Sequence, residues 1–95
     1  MKPTVYVYEL TATRNAAREA SIVAVSLAIL DVRPAGSLHR WTVAVTQEQG
    51  FQLRGLPWVI APGQRGQMQP AGDNLEFHDA MRGETWSVSI ESLAR

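Results

Sequence analysis

The chain contains no cysteine among its 95 residues. This absence excludes disulfides, cysteine nucleophiles, iron–sulfur clusters and cysteine-bound zinc. The fold must therefore be held by its apolar core alone, and a chain of this length buries only about 60–65% of the surface that its unfolded form exposes. We expect one marginally stable domain over residues 1–95, which would gain stability by burying further surface in an oligomer.

An excess of either charge is also missing, because nine basic residues balance nine acidic ones and the isoelectric point lies near 6.7. Nucleic-acid binding usually requires a basic surplus, so no nucleic-acid partner is expected. Lysine is nearly absent as well, since Lys2 is the single lysine beside eight arginines, and alanine occurs twelve times. This bias is typical of a GC-rich genome and does not by itself indicate a binding site.

Long hydrophobic runs are lacking. The longest apolar stretch, residues 20–30, spans 11 residues and is interrupted by two serines, whereas a membrane-spanning helix needs about 20 apolar residues. Near the N-terminus, residues 5–8 are followed directly by Glu9, so the apolar run of roughly 7–15 residues in a signal peptide is not found there. We therefore expect a cytoplasmic protein that does not contact membranes.

Four segments are predicted to form strands, because they are dense in β-branched and aromatic residues or alternate in polarity. They are residues 4–13, 39–46, 75–77 and 86–90. A polar stretch over residues 64–69 is interpreted as a further, weak strand. Turn signals separate these segments at intervals of roughly 8–12 residues, a spacing that favours a sandwich or barrel. We predict a mainly β fold, a small antiparallel β-sandwich or barrel of about seven strands.

Residues 20–33 can be interpreted in two ways. The large apolar residues of this segment alternate with small ones, which is the period of a strand. Wrapped as a helix, the segment places its apolar residues on the face that carries Arg14 and Arg18. We therefore predict a strand over most of residues 20–33, with one short helix near residues 13–20. The alternative is an α+β fold in which a helix over residues 13–31 packs on an antiparallel sheet.

The middle of the chain is predicted to form a hairpin and a bulged strand. Residues 47–50 are interpreted as the hairpin loop. Beyond it, Phe51 and Leu53 share one parity, whereas the apolar residues after Gly55 share the other. A glycine at such a change of phase predicts a β-bulge, and we expect Gly55 to have a positive φ. Residues 61–63 contain proline and glycine and are predicted to form a turn.

We recognise no sequence motif for catalysis, metal binding or cofactor binding. The two histidines, His39 and His78, are not arranged in a His-x-x-x-His pair. Neither a Gly-x-Ser-x-Gly nucleophile turn nor the Lys-Ser/Thr pair of a phosphate-binding loop occurs in the sequence. We therefore predict no catalytic residue, no metal site and no cofactor.

The aromatic residues indicate both a core and a contact surface. Trp41 and Trp86 lie on the apolar parity of their strands and are predicted to be core residues. Tyr6 and Tyr8 lie opposite two valines in the first strand, which makes that strand apolar on both faces. Either both faces are covered within the fold, or the tyrosine face meets a partner, a role for which tyrosine is well suited.

Five residues are predicted to contact a partner: Tyr6, Tyr8, Trp58, Arg54 and Arg40. Trp58 lies beside the expected bulge, and bulges often direct side chains toward functional surfaces. Arg40 lies on the outward parity of the strand over residues 39–46, and Arg54 follows it closely in the sequence.

These features favour a noncatalytic β-rich interaction module that self-associates as a dimer and recognises a protein or a small apolar ligand. The alternative is a small enzyme or ligand-pocket protein whose site lies at a subunit interface. A carboxylate such as Asp31 or Glu76 would then act as acid or base, and it would be buried in an aromatic cavity. Burial of Asp31 or Glu76 in an aromatic cavity would therefore favour the enzyme hypothesis over the interaction module.

Overall fold

A computed structural model describes residues 4–93 of the chain. Within this range no helix is long and apolar enough to cross a bilayer. In chain order the elements are β1 (Tyr6–Ala12), α1 (Ala16–Val25), β2 (Ala28–Ala35), β3 (Leu38–Val45), α2 (Gln47–Arg54), β4 (Ile60–Gln67), β5 (Gln69–Ala71), β6 (Asn74–Asp79), β7 (Glu84–Ser89) and α3 (Ile90–Leu93).

The strands form two antiparallel sheets, ordered β2-β3-β1-β4 and β5-β6-β7. The chain passes from one sheet to the other at the buried Met68, whose N–H donates to the Val5 carbonyl (2.8 Å). On the opposite side β2 and β7 approach each other without joining, so the sheets do not close into a barrel. With 51% of the residues in strands and 24% in helices, the mainly β fold predicted from the sequence is confirmed.

The two faces of β1 belong to two different apolar clusters. On one face, Tyr8 shares a cluster with Ile22 of α1 and Leu53 of α2. On the other face, Val7 shares a cluster with Phe77 of the second sheet. The four-stranded sheet is therefore the middle of three layers, between the helices and the three-stranded sheet. Both faces of β1 are covered within the chain, which is one of the two outcomes that the sequence left open.

The predicted core tryptophans pack in these two clusters. Trp41 is fully buried on the helix side of the middle layer, and Trp86 is half-buried between the sheets. Within residues 4–93 neither buried indole N–H has a hydrogen-bond partner. Both contribute apolar packing, and the Arg33 guanidinium lies 5.9 Å from the Trp86 ring centroid, a cation–π contact.

The prediction of a strand over most of residues 20–33 is wrong for the first half of that segment. α1 continues to Val25 before β2 begins, so the alternative helix over residues 13–31 is also too long. Asn15 starts α1, because its side chain accepts a hydrogen bond from a backbone N–H of the first turn (2.9 Å). The fully buried residue of α1 is Ile22 alone. Such a narrow buried stripe leaves little helical periodicity in the sequence.

The predicted hairpin loop at residues 47–50 is instead the first half of α2. Thr46 and Gln49 form a capping box, in which Thr46 Oγ1 accepts from the Gln49 N–H (3.2 Å) and Gln49 Oε1 accepts from the Thr46 N–H (2.9 Å). Gly55 ends this helix with a φ of −82°, so the predicted bulge and its positive φ are wrong. The apparent change of parity at Gly55 arises because the residues before it form a helix, in which alternate residues do not share a face.

The predicted turn at residues 61–63 lies inside β4, where Ala61 has a left-handed φ of 50°. The register of β1 against β4 shifts between Val7 and Tyr8 and again further along. The strand irregularity expected at Gly55 therefore occurs in β4, an edge strand in which proline and glycine are tolerated.

Candidate interaction surface

The structure separates the two tyrosines that the sequence places on one face of β1. Tyr8 has 5% of its surface exposed, and its ring lies against the backbone of Gly50 in α2. Tyr6 is half-buried at the start of the strand. Tyr8 is therefore a core residue with almost no surface to offer a partner, whereas Tyr6 retains some.

Tyr6 lines an open depression between the start of β1 and the first turns of α2. Phe51 projects beside it with 60% of its surface exposed, because Gly50 and Leu53 occupy the buried side of α2. An aromatic centre with a polar rim is the usual anatomy of a protein interface. We call the residues that line this depression the α2 surface: Thr4, Tyr6, Thr46, Gln47, Glu48 and Phe51.

Trp58 and Arg54 are not among the residues that line the α2 surface. Trp58 packs against the cluster on the helix side, and the Arg18 guanidinium lies 5.3 Å from its ring centroid, a cation–π contact. Arg54 is exposed in the last turn of α2, where a cation interacts favourably with the helix dipole. The fold does not bring these two predicted residues together with Tyr6.

Arg40 belongs to a group of charged side chains between the two sheets. Its Nε lies 3.8 Å from Glu9 Oε1, and Glu9 Oε2 accepts hydrogen bonds from Arg65 (3.3 Å) and Arg82 (2.7 Å). Arg65, with 10% of its side chain exposed, also pairs with two carboxylates of the second sheet. We call the whole group the ion-pair network: Glu9, Asp31, Arg33, Arg40, Arg65, Asp79, Arg82 and Glu84.

The ion-pair network is electrically balanced, since four arginines face four carboxylates. A hydrogen bond from Arg65 holds the pKa of Asp79 below its ordinary value, and the backbone N–H groups of Arg82 and Met81 act in the same direction. The hydrogen bond to Glu9 raises the pKa of Arg82. The ion-pair network therefore links the two sheets and, with four charges of each sign, offers no unbalanced charge to a ligand.

The carboxylates of the enzyme hypothesis do not lie in an aromatic cavity. Asp31 pairs with Arg33 (2.7 Å) in the ion-pair network, and Glu76 is exposed on β6. Among the described residues, no three potential metal-ligating side chains lie together. Neither carboxylate therefore has the aromatic surroundings that the enzyme hypothesis expects.

Phe51 and Arg65 are the two residues that the sequence-based prediction missed. The residues from Thr46 to Gln49 have the spacing of a capping box, and this signal would have placed Phe51 on a helix. Arg65 has no comparable local signal, because its carboxylate partners are 14, 19 and 56 residues away in the sequence.

Comparison with known proteins adds no family to this description. The chain has no significant match among protein-family models, curated proteins or solved structures. The α2 surface is a better candidate binding site than the ion-pair network, because the Phe51 ring is exposed.

Proposed function

We propose that this protein is a noncatalytic interaction module that self-associates and recognises another protein through the α2 surface. The observation that supports this most directly is the exposed ring of Phe51 beside the half-buried Tyr6. Covering apolar surface contributes roughly 25 cal/mol per Å², so a partner that buries Phe51 gains free energy. Aromatic residues are enriched at the centres of protein interfaces for this reason.

The shape of the α2 surface favours a protein over a small apolar ligand. Small-molecule sites enclose most of the ligand's surface, whereas this depression is open to solvent. Thr4, Gln47 and Glu48 on its rim have side chains that can hydrogen-bond to a polypeptide. A segment that places one large apolar side chain against Phe51 and polar groups on the rim fits this arrangement.

Self-association is supported by features other than the tyrosine pair. The burial of Tyr8 removes one argument for it, because both faces of β1 are covered within the chain. The small, cysteine-free core remains an argument. A dimer that buries further surface of the chain stabilises the folded state by mass action.

A peptide library displayed on phage tests the α2 surface. The purified protein is panned, and the enriched peptides are titrated by calorimetry into the parent and into Phe51→Ser. We expect enriched peptides with an aromatic or large aliphatic residue, and an affinity at least about tenfold lower for Phe51→Ser. The matched control is Val23→Ser, which removes a similarly exposed apolar side chain from α1 and should leave the affinity unchanged.

Two results would contradict the α2 surface as the binding site. One is a panning experiment that enriches no peptide. The other is an enriched peptide that binds Phe51→Ser as tightly as the parent. A bound peptide should also shift the backbone amide resonances of residues 46–51 in a nuclear magnetic resonance titration, and resonances confined to another surface would place the site elsewhere.

A further inference from the structure

Four strands lie at sheet edges, and three of them carry features that hinder pairing with a further strand. β2 contains Pro34 and a register shift, β4 contains Pro62 and two shifts, and the three-residue β5 contains Pro70. β7 contains neither proline nor glycine, and it pairs with β6 without a register shift. β2 contacts the start of β7 through the Arg33–Glu84 ion pair (2.9 Å), and the edge from Thr85 to Ser89 is a template for another strand.

The hydrogen bonds between β6 and β7 determine which backbone groups the free edge presents. The Ile90 N–H donates to the Asp73 carbonyl (3.0 Å). In an antiparallel pair of strands, hydrogen-bonded residue pairs alternate with non-hydrogen-bonded pairs, and the Asp73/Ile90 pair fixes which are which. The outward N–H groups have no backbone partner within residues 4–93. They belong to Thr85, Ser87 and Ser89.

From this edge we infer that two copies of the chain pair antiparallel through β7, joining their three-stranded sheets into one six-stranded sheet. The inference rests on the self-association proposed above and names its interface. A two-fold axis at Ser87 sets Ser87 opposite its own copy, so that the two residues exchange two backbone hydrogen bonds. Each Ser89 N–H then meets the Thr85 carbonyl of the second copy, and each Thr85 N–H meets a Ser89 carbonyl, which makes six bonds across the interface.

The side chains of β7 are complementary in this register. On the outer face, the exposed hydroxyl residues oppose one another, and no charged side chain lies between Thr85 and Ser89. On the inner face, Trp86 opposes Val88 of the second copy. Both are half-buried, although they pack in the cluster between the sheets, and pairs of an aromatic with a β-branched residue stabilise neighbouring strands. The occupant that the edge fits is therefore a second copy of this chain.

The absence of cysteine makes this interface testable by one substitution. Ser87→Cys places two thiols at the axis, where the Cα atoms of a bonded pair are about 5.5 Å apart, within the span of about 4.4–6.8 Å that a disulfide bridges. We expect Ser87→Cys to form a covalent dimer on mild oxidation. The control Gln67→Cys, an exposed position on the edge strand β4, should not. Equal cross-linking of both variants, or none by Ser87→Cys, would overturn the inference.

Sedimentation separates the β7 interface from self-association itself. We expect the parent to be dimeric at micromolar concentration and Ser87→Lys to weaken the dimer at least about tenfold, because two ammonium groups then meet at the axis. Gln67→Lys makes the same charge change on β4 and should leave the dimer unchanged. Both side chains are exposed, so both variants should keep the circular dichroism spectrum of the parent.

Each result of the sedimentation experiment has a distinct meaning. A dimeric parent that Ser87→Lys does not weaken would overturn the β7 interface and leave self-association standing. A monomeric parent would overturn both self-association and the β7 dimer. The same result would be obtained if β7 pairs with an extended segment of another protein instead of a second copy. Neither result bears on peptide binding at the α2 surface, which has its own test.

Discussion

The backbone of Gly50 lies against the ring of Tyr8, so closely that a Cβ on Gly50 would sit 2.8 Å from Tyr8 Cε1. Protein interiors are close-packed and leave no room for such an overlap. Glycine inside a helix costs about 1 kcal/mol relative to alanine, and the close approach explains why it is present here. It lets α2 settle on the middle sheet, where it covers Tyr8 and leaves Phe51 on the outside.

We predict that Gly50→Ala lowers the free energy of unfolding by about 1–3 kcal/mol, because the added methyl group forces the tyrosine ring or the helix to move. Urea unfolding measures the change. The control is Gly55→Ala, whose Cβ would make ordinary contact at 3.5 Å with the Gln52 carbonyl at a right-handed φ. That variant should be neutral or more stable by up to about 1 kcal/mol. Equal stability of the two variants would show that the Tyr8 ring moves aside at no cost.

The second prediction concerns Arg65, which holds carboxylates of both sheets. Arg65→Met keeps much of the side-chain volume but leaves Glu9, Asp79 and Glu84 without their shared cation. Arg65 is the one largely buried cation of the network, and its loss leaves three partly buried carboxylates with fewer hydrogen bonds, so we expect the free energy of unfolding to fall by about 1–3 kcal/mol. The control Arg54→Met removes an exposed arginine and should change stability by less than about 0.5 kcal/mol.

Arg65→Lys refines this test, because lysine carries the charge but lacks the planar fork that reaches several carboxylates at once. Its stability should lie between those of the parent and Arg65→Met. If Arg65→Met unfolds at the same urea concentration as the parent, the ion-pair network does not hold the sheets together.

The third prediction is a loss of stability in acid. Because Arg65 lowers the pKa of Asp79, the folded state favours the ionised carboxylate. Asp79 therefore stabilises the fold at pH values above its unfolded pKa, near 4, and this contribution disappears as the pH falls through the lower pKa of the folded state. Asp79→Asn should be less stable than the parent at pH 7 and should lose less stability between pH 7 and strongly acidic conditions.

The control for the acid experiment is Glu19→Gln. The hydrogen bond from Arg14 also lowers the pKa of Glu19, but both side chains are well exposed, so solvent screens their interaction. Its stability profile against pH should follow that of the parent. A profile of Asp79→Asn that matches the parent would show that Asp79 titrates without coupling to folding.

The strands β1, β3, β6 and β7 could be predicted from the sequence because each has a local signal. Their residues alternate in polarity or, in β1, are dense in β-branched and aromatic types, and both signals depend on neighbouring residues alone. The burial of Trp41 followed from the same parity. α2 also has a local signal, the capping box of Thr46 and Gln49, but its polar residues and Gly50 are equally typical of a hairpin loop, which is why the sequence favours a loop there.

By itself, the amino-acid sequence determined that this protein is mainly β, carries no net charge and cannot form a disulfide, because composition and short-range periodicity suffice for each. Only the tertiary structure decided that Tyr8 is covered while Phe51 is not, since that depends on α2 crossing β1 at Gly50. It also decided that Arg65 meets Glu9, a residue 56 positions away. Contacts of this kind arise from packing between remote elements, and no local pattern in the chain encodes them.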